Sequence, residues 1–255
     1  MSSPRFDGKL VLVTGAAQGM GNTIARHFAS LGAKVAVNDI RLDYRLESLA
    51  SEIGGVVAPA DVSNPAQVAQ MVSDLRSSVG DVEVLVSNHA YMTMGSFLEY
   101  EEDQWWKIID TNLGGTFSLI QNVLPGMRRS GSGRIVVTSS IWGVSGWPEA
   151  TAYAASKSGL ISLVKTLGRE LGPENIVINA VAPGVIDTPQ LEVDAQSAGM
   201  TLAQMHEVYA RDIPLGRIGS PTEIAATIAM LADFRLRSLI GQTVQINGGE
   251  LRSRV

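Results

Sequence analysis

The chain leaves its first apolar run through a turn that carries three glycines, Thr14-Gly15-Ala16-Ala17-Gln18-Gly19-Met20-Gly21, and a helical pattern begins at once. Gly15 allows a tight turn off a strand, Gly19 allows the backbone to approach a pyrophosphate, and Gly21 allows the helix to pack closely on the sheet. The helix N-terminus offers unpaired N–H groups and a partial positive charge to phosphates. The stretch therefore predicts a dinucleotide-binding unit at the start of the chain, and Met20 is expected beside the cofactor together with the glycines.

The rest of the chain alternates apolar runs with segments of helical period. The runs that predict strands are residues 10–14, 34–39, 56–60, 83–87, 134–139, 176–181 and 243–247. The segments that predict helices include residues 20–31, 65–79, 101–129, 151–171 and 221–232. Strand runs that are apolar almost throughout are typical of parallel sheets covered on both faces. We therefore predict one Rossmann-type α/β domain over residues 1–255, with a doubly wound parallel seven-stranded sheet and helices on both faces.

Composition excludes several classes of function. The 255 residues include 20 basic and 25 acidic side chains, a formal net charge of −5, and no cysteine. An acidic chain lacks the basic face that nucleic-acid binding requires. No segment reaches the ~18 apolar residues of a membrane span, and the N-terminus has no hydrophobic signal core. We therefore expect a cytoplasmic protein with a small-molecule substrate, no nucleic-acid partner and no membrane partner.

Metal chemistry is not expected either. Absence of cysteine removes thiolate zinc sites. The three histidines, His27, His89 and His206, have no ligand spacing with one another. Zinc sites need several such ligands brought together. We predict no catalytic metal.

An acidic residue, Asp39, ends the second strand run. A carboxylate there can accept hydrogen bonds from both adenosine ribose hydroxyls and repels a 2′-phosphate. Gln18 offers that phosphate no cation, Ile40 follows Asp39, and Arg41 is the nearby positive charge. These residues favour NAD over NADP. Asp61 and Val62 close the third run at the same edge and are placed to meet the adenine, although they could equally form a plain helix-entry turn.

A hydroxyl, a phenol and an ammonium can meet at the same edge. Ser140 follows the run 134–139, and Tyr153 and Lys157 lie four residues apart on one helix face. A free tyrosine, with a pKa near 10, is a poor base, and a nearby ammonium is expected to lower that pKa. The set predicts hydride transfer between a secondary alcohol or ketone and a nicotinamide, with Tyr153 as acid and base and Ser140 holding the substrate oxygen.

These features together resemble the short-chain dehydrogenase/reductase family over roughly residues 8–249. The resemblance rests on the glycine turn, on the Tyr153-x-x-x-Lys157 pair, on Ser140, on Asn112 and on the Pro-Gly segment after the sixth strand. It implies a catalytic tetrad of Asn112, Ser140, Tyr153 and Lys157, in which Asn112 holds a relay water and Lys157 also binds the nicotinamide ribose. It further implies a homotetramer that packs two long helices across subunits. The residues it assigns to the nicotinamide side are Pro183, Gly184, Val185 and Thr188.

The chain departs from that family after the fourth strand. Where the family usually has Asn-Asn-Ala-Gly, this chain has Ser87-Asn88-His89-Ala90. Asn88 and Ala90 are still expected beside the cofactor. His89 is expected either to pack or line the pocket wall, or to act as a second proton-transfer group that contacts substrate.

The resemblance also indicates which segments form the substrate pocket. Residues 187–214 break the strand–helix rhythm and are expected to form a lid or a surface helical excursion. The pocket residues it gives are His89, Met92, Met94, Ile141, Trp142, Trp147, Ile186, Leu191 and Met205. Because this set is apolar and aromatic, we expect a hydrophobic, aromatic or cyclic alcohol or ketone rather than a polar sugar.

Two other functions remain open. One is reduction of a 3-oxoacyl group on a carrier protein or coenzyme A; Arg128 and Arg129 offer an acidic carrier some positive charge, but Glu174 and the net charge of −5 oppose it. The other is a non-catalytic dinucleotide sensor or scaffold, since fold does not fix function. A sensor is expected to have lost part of the tetrad, and here the tetrad is complete.

Overall fold

The computed structural model describes residues 6–251. The strands are β1 Leu10–Val13, β2 Lys34–Val37, β3 Val56–Val57, β4 Val84–Ser87, β5 Gly133–Thr138, β6 Ile176–Pro183 and β7 Thr243–Ile246. The helices are α1 Gly19–Ser30, α2 Tyr44–Ile53, α3 Pro65–Ser78, α4 Glu102–Ile109, α5 Gly115–Ser130, α6 Trp142–Ser145, α7 Thr151–Leu171, α8 Gln190–Ser197, α9 Leu202–Ala210 and α10 Pro221–Leu231. A π-helical turn, Asp110–Gly114, joins α4 to α5, and a 3₁₀ turn, Gly172–Glu174, follows α7.

The strands form one parallel sheet in the order β3-β2-β1-β4-β5-β6-β7. The strand order reverses between β1 and β4, so that connections leave these neighbours in opposite directions. Ligands of open α/β sheets bind in the crevice outside the carboxyl ends of strands at such a reversal. The predicted Rossmann-type architecture is confirmed.

Successive side chains of β1 point to opposite faces of the sheet and enter two separate cores. Val11 and Val13 pack in the core that α1, α2 and α10 cover. Leu10 and Leu12 pack in the core that α3, α5 and α7 cover. This alternation is typical of a strand that is buried on both faces of the sheet. The packing on both faces holds β1 in place, so that its carboxyl end lies where the strand order reverses.

Several boundaries differ from the sequence expectations. Helix α2 lay outside the predicted helices, although Asp43 caps it by accepting from Arg45 N and Leu46 N, and Gly54 ends it in the left-handed conformation. Strand β3 pairs over two residues rather than the expected five, 56–60. The expected helix 101–129 contains the π-helical turn. One extra residue in a helical turn shifts the helix face, and such turns often occur at functional sites.

The excursion at residues 187–214 is helical and contains α8 and α9. Beneath these helices, Leu191 packs with Ile213 and Ile218 in a small core of its own, with Val185 and Tyr209 against it. Within residues 6–251, no helix combines the length and the apolar character needed to cross a bilayer.

Candidate active site

The glycine turn has the close approaches that its sequence predicts. Gly15 and Gly19 have φ of 64° and 58°, a region that glycine enters without strain. A Cβ on Gly21 would lie 2.0 Å from the Gly15 carbonyl oxygen. Any side chain at residue 21 would therefore push α1 away from β1. The turn is a cradle of backbone at the N-terminus of a helix, which fits the phosphates of a dinucleotide.

A cleft of about 580 Å³ runs along the carboxyl edge of the sheet beside this turn. That volume lies in the usual range for small-molecule and cofactor sites. The residues expected at the cofactor that line it are Gly15, Gln18, Gly19, Met20, Gly21, Asp39, Ile40, Asp61, Val62, Asn88, Ala90 and Thr188. The other residues expected at the cofactor, which lie outside its lining, are Tyr153, Lys157, Pro183, Gly184 and Val185.

The cleft also has lining residues that the sequence analysis did not assign to it. They are Asn38, Arg41, Ala60, Ser63, Tyr91, Lys107, Thr111, Pro189 and Gln190. Helical spacing could have found two of them, because Lys107 and Thr111 lie four residues apart on the helix that leads to Asn112. Pro189 and Gln190 directly follow Thr188, so the beginning of α8 forms part of the wall.

The Asp39 carboxylate is held in place at the adenosine end of the cleft. Its Oδ2 accepts from Ala17 N at 3.1 Å and its Oδ1 accepts from Ile40 N at 2.8 Å. Gln18 also contacts a cation that was not expected from the sequence. Arg45 Nη1 donates to Gln18 Oε1 at 2.8 Å. Arg45 also pairs with Asp43 at 2.6 Å, so its charge is already balanced by a carboxylate.

Asn112 lies in the π-helical turn and is fully buried. Its Nδ2 donates to Ser156 Oγ and to Tyr91 O, both at 3.0 Å, and its Oδ1 accepts from Tyr91 N at 2.7 Å. Asn112 thus ties the loop after β4 to α7, the helix that carries Tyr153 and Lys157. The water relay that the resemblance implies for Asn112 stays a prediction.

Lys157 points into the protein from α7 and is almost completely buried. Its Nζ donates to Thr138 O, at the end of β5, at 2.7 Å. The same Nζ lies 5.5 Å from the centre of the Tyr153 ring. Burial lowers the pKa of Lys157 to about 7, because removing water penalises the ammonium.

Tyr153 is half-buried, and Ser140 lies beside it. Burial raises the pKa of the Tyr153 phenol above its ordinary value, and a hydrogen bond with Ser140 acts in the opposite direction. The expectation that Lys157 lowers this pKa is wrong for the protein alone. Desolvation penalises the phenolate, and the nearby amine is itself buried and easily deprotonated. The phenol is therefore protonated at neutral pH and poised to donate a proton.

His89 is buried, and both of its ring nitrogens have partners. Its Nε2 donates to Thr111 O at 3.0 Å, since a carbonyl can only accept, and its Nδ1 accepts from Thr14 Oγ1 at 2.8 Å. Burial, and then the charge of Lys157, lower the pKa of His89 to about 3. This neutral ring packs between the end of β1 and the π-helical turn. The arrangement supports the packing alternative and leaves no free nitrogen for proton transfer.

The residues expected in the substrate pocket lie in different surroundings. His89 is the member of that set that lines the cleft described above. Ile141, Ile186, Leu191 and Met205 are buried in the packing of the protein, and Met94 is exposed. Met92 is half-buried.

One member of that set contacts a candidate catalytic residue, and a second member packs on the first. Trp142 packs edge-on against the Tyr153 ring with 5.9 Å between ring centres. Trp147 stacks on Trp142 with ring centres 5.2 Å apart and planes 8° apart. The wall beside the phenol is therefore aromatic.

Comparison with known proteins gives a consistent result. A family model described as enoyl-(acyl carrier protein) reductase matches residues 15–250. The 3-oxoacyl-acyl-carrier-protein reductase FabG of Thermotoga maritima is 37% identical over 250 residues, covering 96% of this chain and 98% of that protein. The protein of the same name from Salmonella typhimurium is 34% identical over 248 residues, covering 96% of this chain and 98% of that one.

A solved structure is similar over the whole chain as well. It is L-sorbose reductase from Gluconobacter frateurii, complexed with NADPH and L-sorbose. The TM-score is 0.93 at 27% identity, and the match covers 99% of this chain and 100% of that chain. The chain thus shares its fold with that reductase.

Proposed function

Because the chain belongs to the short-chain dehydrogenase/reductase family of nicotinamide dinucleotide oxidoreductases, we propose that it reduces the 3-oxo group of an acyl thioester. The observation that carries the proposal is the meeting of Ser140, Tyr153 and Lys157 beside a dinucleotide-sized cleft. The nearly full-length similarity to 3-oxoacyl reductases supports the thioester over the hydrophobic or cyclic alcohol that we expected first. The complete tetrad opposes the non-catalytic sensor.

In this mechanism the reduced nicotinamide supplies the hydride that reduces the 3-oxo carbon. Ser140 donates a hydrogen bond to the carbonyl oxygen and fixes it near Tyr153. The Tyr153 O–H bond breaks as negative charge develops on that oxygen, and the proton completes the 3-hydroxyl group. The raised pKa of Tyr153 keeps the phenol protonated before the step. Lys157 in its ammonium form then stabilises the phenolate until a proton returns from solvent.

Asp39 is the residue that we propose as the selector of the nucleotide, in favour of NADH over NADPH. Its carboxylate is fixed by Ala17 N and Ile40 N, so it cannot turn away from a 2′-phosphate without losing both bonds. Arg41 at the cleft acts in the opposite direction, whereas the charge of Arg45 is balanced by Asp43. Asp39→Ala should lower the NADH to NADPH ratio of kcat/KM by about tenfold or more, as loss of one charge–phosphate repulsion allows. An unchanged ratio would refute this role.

The substrate class is tested by comparing initial rates of reduced-cofactor oxidation on one enzyme preparation. The compounds are acetoacetyl-coenzyme A, L-sorbose, cyclohexanone and 2-butanone. We expect kcat/KM to be highest for the thioester by at least about tenfold. Faster turnover of L-sorbose or of the plain ketones would overturn the proposal, and binding of NADH without turnover of any compound would favour the sensor.

The predicted homotetramer belongs to the same proposal. Phe117 of α5 is 54% exposed, and it lies on the long helical segment that the resemblance pairs across subunits. Burying such side chains against a second copy would remove apolar surface from water. Light scattering coupled to size-exclusion chromatography measures the assembly, and a monomer would contradict it.

A further inference from the structure

Trp142 and Trp147 form an aromatic shelf next to the proton donor. Trp142 stands edge-on to Tyr153, and Trp147 lies flat on Trp142. Trp147 is 49% exposed, whereas large aromatic side chains are usually well buried. Trp147 is therefore accessible to a ligand, while Trp142 contacts Tyr153, the proposed proton donor.

The chain holds this shelf in position through two close backbone contacts. A Cβ on Gly143 would lie 2.7 Å from the Lys157 carbonyl carbon, so α6 packs directly on α7. Gly146 and Glu149 both have positive φ, 71° and 63°, and the turn that they form returns Trp147 over Trp142. Gly95 N donates to Glu149 O at 2.9 Å and ties this turn to the loop after β4. The shelf is thus fixed relative to Tyr153.

The contact of Trp142 with Tyr153 brings the shelf close to the position of the substrate carbonyl. The carbonyl oxygen must lie at Tyr153 and Ser140 for proton transfer. One of the two groups on the carbonyl carbon is the thioester arm, and the other is free to extend over the neighbouring wall. A flat aromatic group stacks on an indole more favourably than an alkyl group of equal size.

We propose that the Trp142–Trp147 shelf selects 3-oxoacyl thioesters that carry an aromatic ring on the 3-oxo carbon. This inference rests on the proposed function and names the substrate class of the same site. Hydride from the reduced cofactor adds to the carbon that bears the ring, and the Tyr153 proton goes to its oxygen. The product is a 3-aryl-3-hydroxyacyl thioester together with the oxidised cofactor.

The test uses two substrate pairs, each with an aryl and an alkyl member. The thioesters are the benzoylacetyl and acetoacetyl esters of N-acetylcysteamine, and the ketones are acetophenone and 2-butanone. The variants are Trp147→Ala, Trp147→Phe and, as the matched control, Trp106→Ala. Trp106 has nearly the same exposure, 50%, but contacts Trp105 and Glu102.

The wild-type enzyme should prefer the aryl thioester over the alkyl one. Trp147→Ala should lower this aryl to alkyl ratio of kcat/KM by about fivefold to tenfold, mainly through KM. Trp147→Phe should restore most of the ratio, and Trp106→Ala should leave it unchanged. An equal loss in Trp106→Ala, or an unchanged ratio in Trp147→Ala, would overturn the shelf.

The ketone pair separates this inference from the proposed function. Turnover of acetoacetyl thioester with no effect of Trp147→Ala on the ratio leaves the function standing and refutes the shelf. Turnover of the ketones alone refutes the thioester function. The effect of Trp147→Ala on the acetophenone to 2-butanone ratio of kcat/KM then tests whether the shelf selects aromatic groups. Turnover of none of the four compounds refutes both.

Discussion

At the scale of single residues, burial shifts the pKa of both groups that we propose take part in proton transfer. It lowers the pKa of Lys157 to about 7 and raises that of Tyr153. These opposite directions share one cause, because desolvation disfavours the charged form of an amine and of a phenol alike. The phenol of the protein alone is therefore protonated at neutral pH, as the proposed donation of its proton requires.

Lys157 should make stability depend on pH. Between about pH 7 and its ordinary pKa of 10.5, the unfolded chain binds more protons than the folded one, so the free energy of unfolding rises with pH. We expect Lys157→Met to raise the melting temperature most at or below about pH 7 and progressively less toward pH 10. Thermal melts of both proteins across this range measure the difference. A difference that does not vary with pH would contradict the burial penalty.

At the scale of elements, the junction of β1 and α1 could be predicted from sequence because steric constraints require glycine there. Gly21 has no room for a Cβ beside Gly15 O. Gly21→Ala should lower the free energy of unfolding by about 1–3 kcal/mol, as overpacking does, and should weaken binding of NADH. Gly172→Ala is the control, since a Cβ there meets Ile240 Cδ1 alone at 3.4 Å. Denaturant unfolding and fluorescence titration measure both effects, and equal losses in the two variants would contradict the steric account.

Other elements could not be read from local pattern. The π-helical turn depends on tertiary bonds of Asn112 to Tyr91 and Ser156, which sequence periodicity does not contain. The role of His89 depends on Thr14 and Thr111, which are distant in sequence. Helix α2 has recognisable capping residues in the sequence, Asp43 and Gly54. Its apolar pattern covers only 10 residues, which is too short to predict a helix by periodicity alone.

The candidate site shows the same division. Residues that follow a strand end, such as Asp39 and Asn88, could be placed at the cleft from sequence. The raised pKa of Tyr153 could not, because it depends on burial rather than on spacing to Lys157. The open face of Trp147 likewise depends on how the turn after α6 folds.

At the scale of the whole molecule, the net charge bears on which carrier could deliver the acyl group of the proposed substrate. The formal net charge is −5. The two arginines that offer a carrier positive charge are both paired: Arg128 with Glu174 at 2.6 Å, and Arg129 with Asp81 at 2.8 Å. An acidic carrier protein would thus approach a surface that repels it on average.

This repulsion should be visible in the dependence of rate on salt. Between ionic strengths of about 0.01 and 0.15 M the Debye length falls from about 30 to about 8 Å. We expect kcat/KM for a 3-oxoacyl group on an acidic carrier protein to rise about twofold to fivefold over this range. The neutral N-acetylcysteamine thioester is the control for salt effects on the enzyme and cofactor. A fall with salt, relative to that control, would indicate a docking patch for the carrier.

The central claim is that Tyr153 donates the proton during reduction of a 3-oxoacyl thioester. The most direct measurement compares wild-type enzyme with Tyr153→Phe, using acetoacetyl-coenzyme A and NADH. Phenylalanine keeps the ring against Trp142 and removes only the hydroxyl. We predict that kcat falls by about 10²–10⁴ while the dissociation constant of NADH, measured by fluorescence, changes less than about threefold. Turnover of the thioester by Tyr153→Phe at a rate close to wild type would contradict the account.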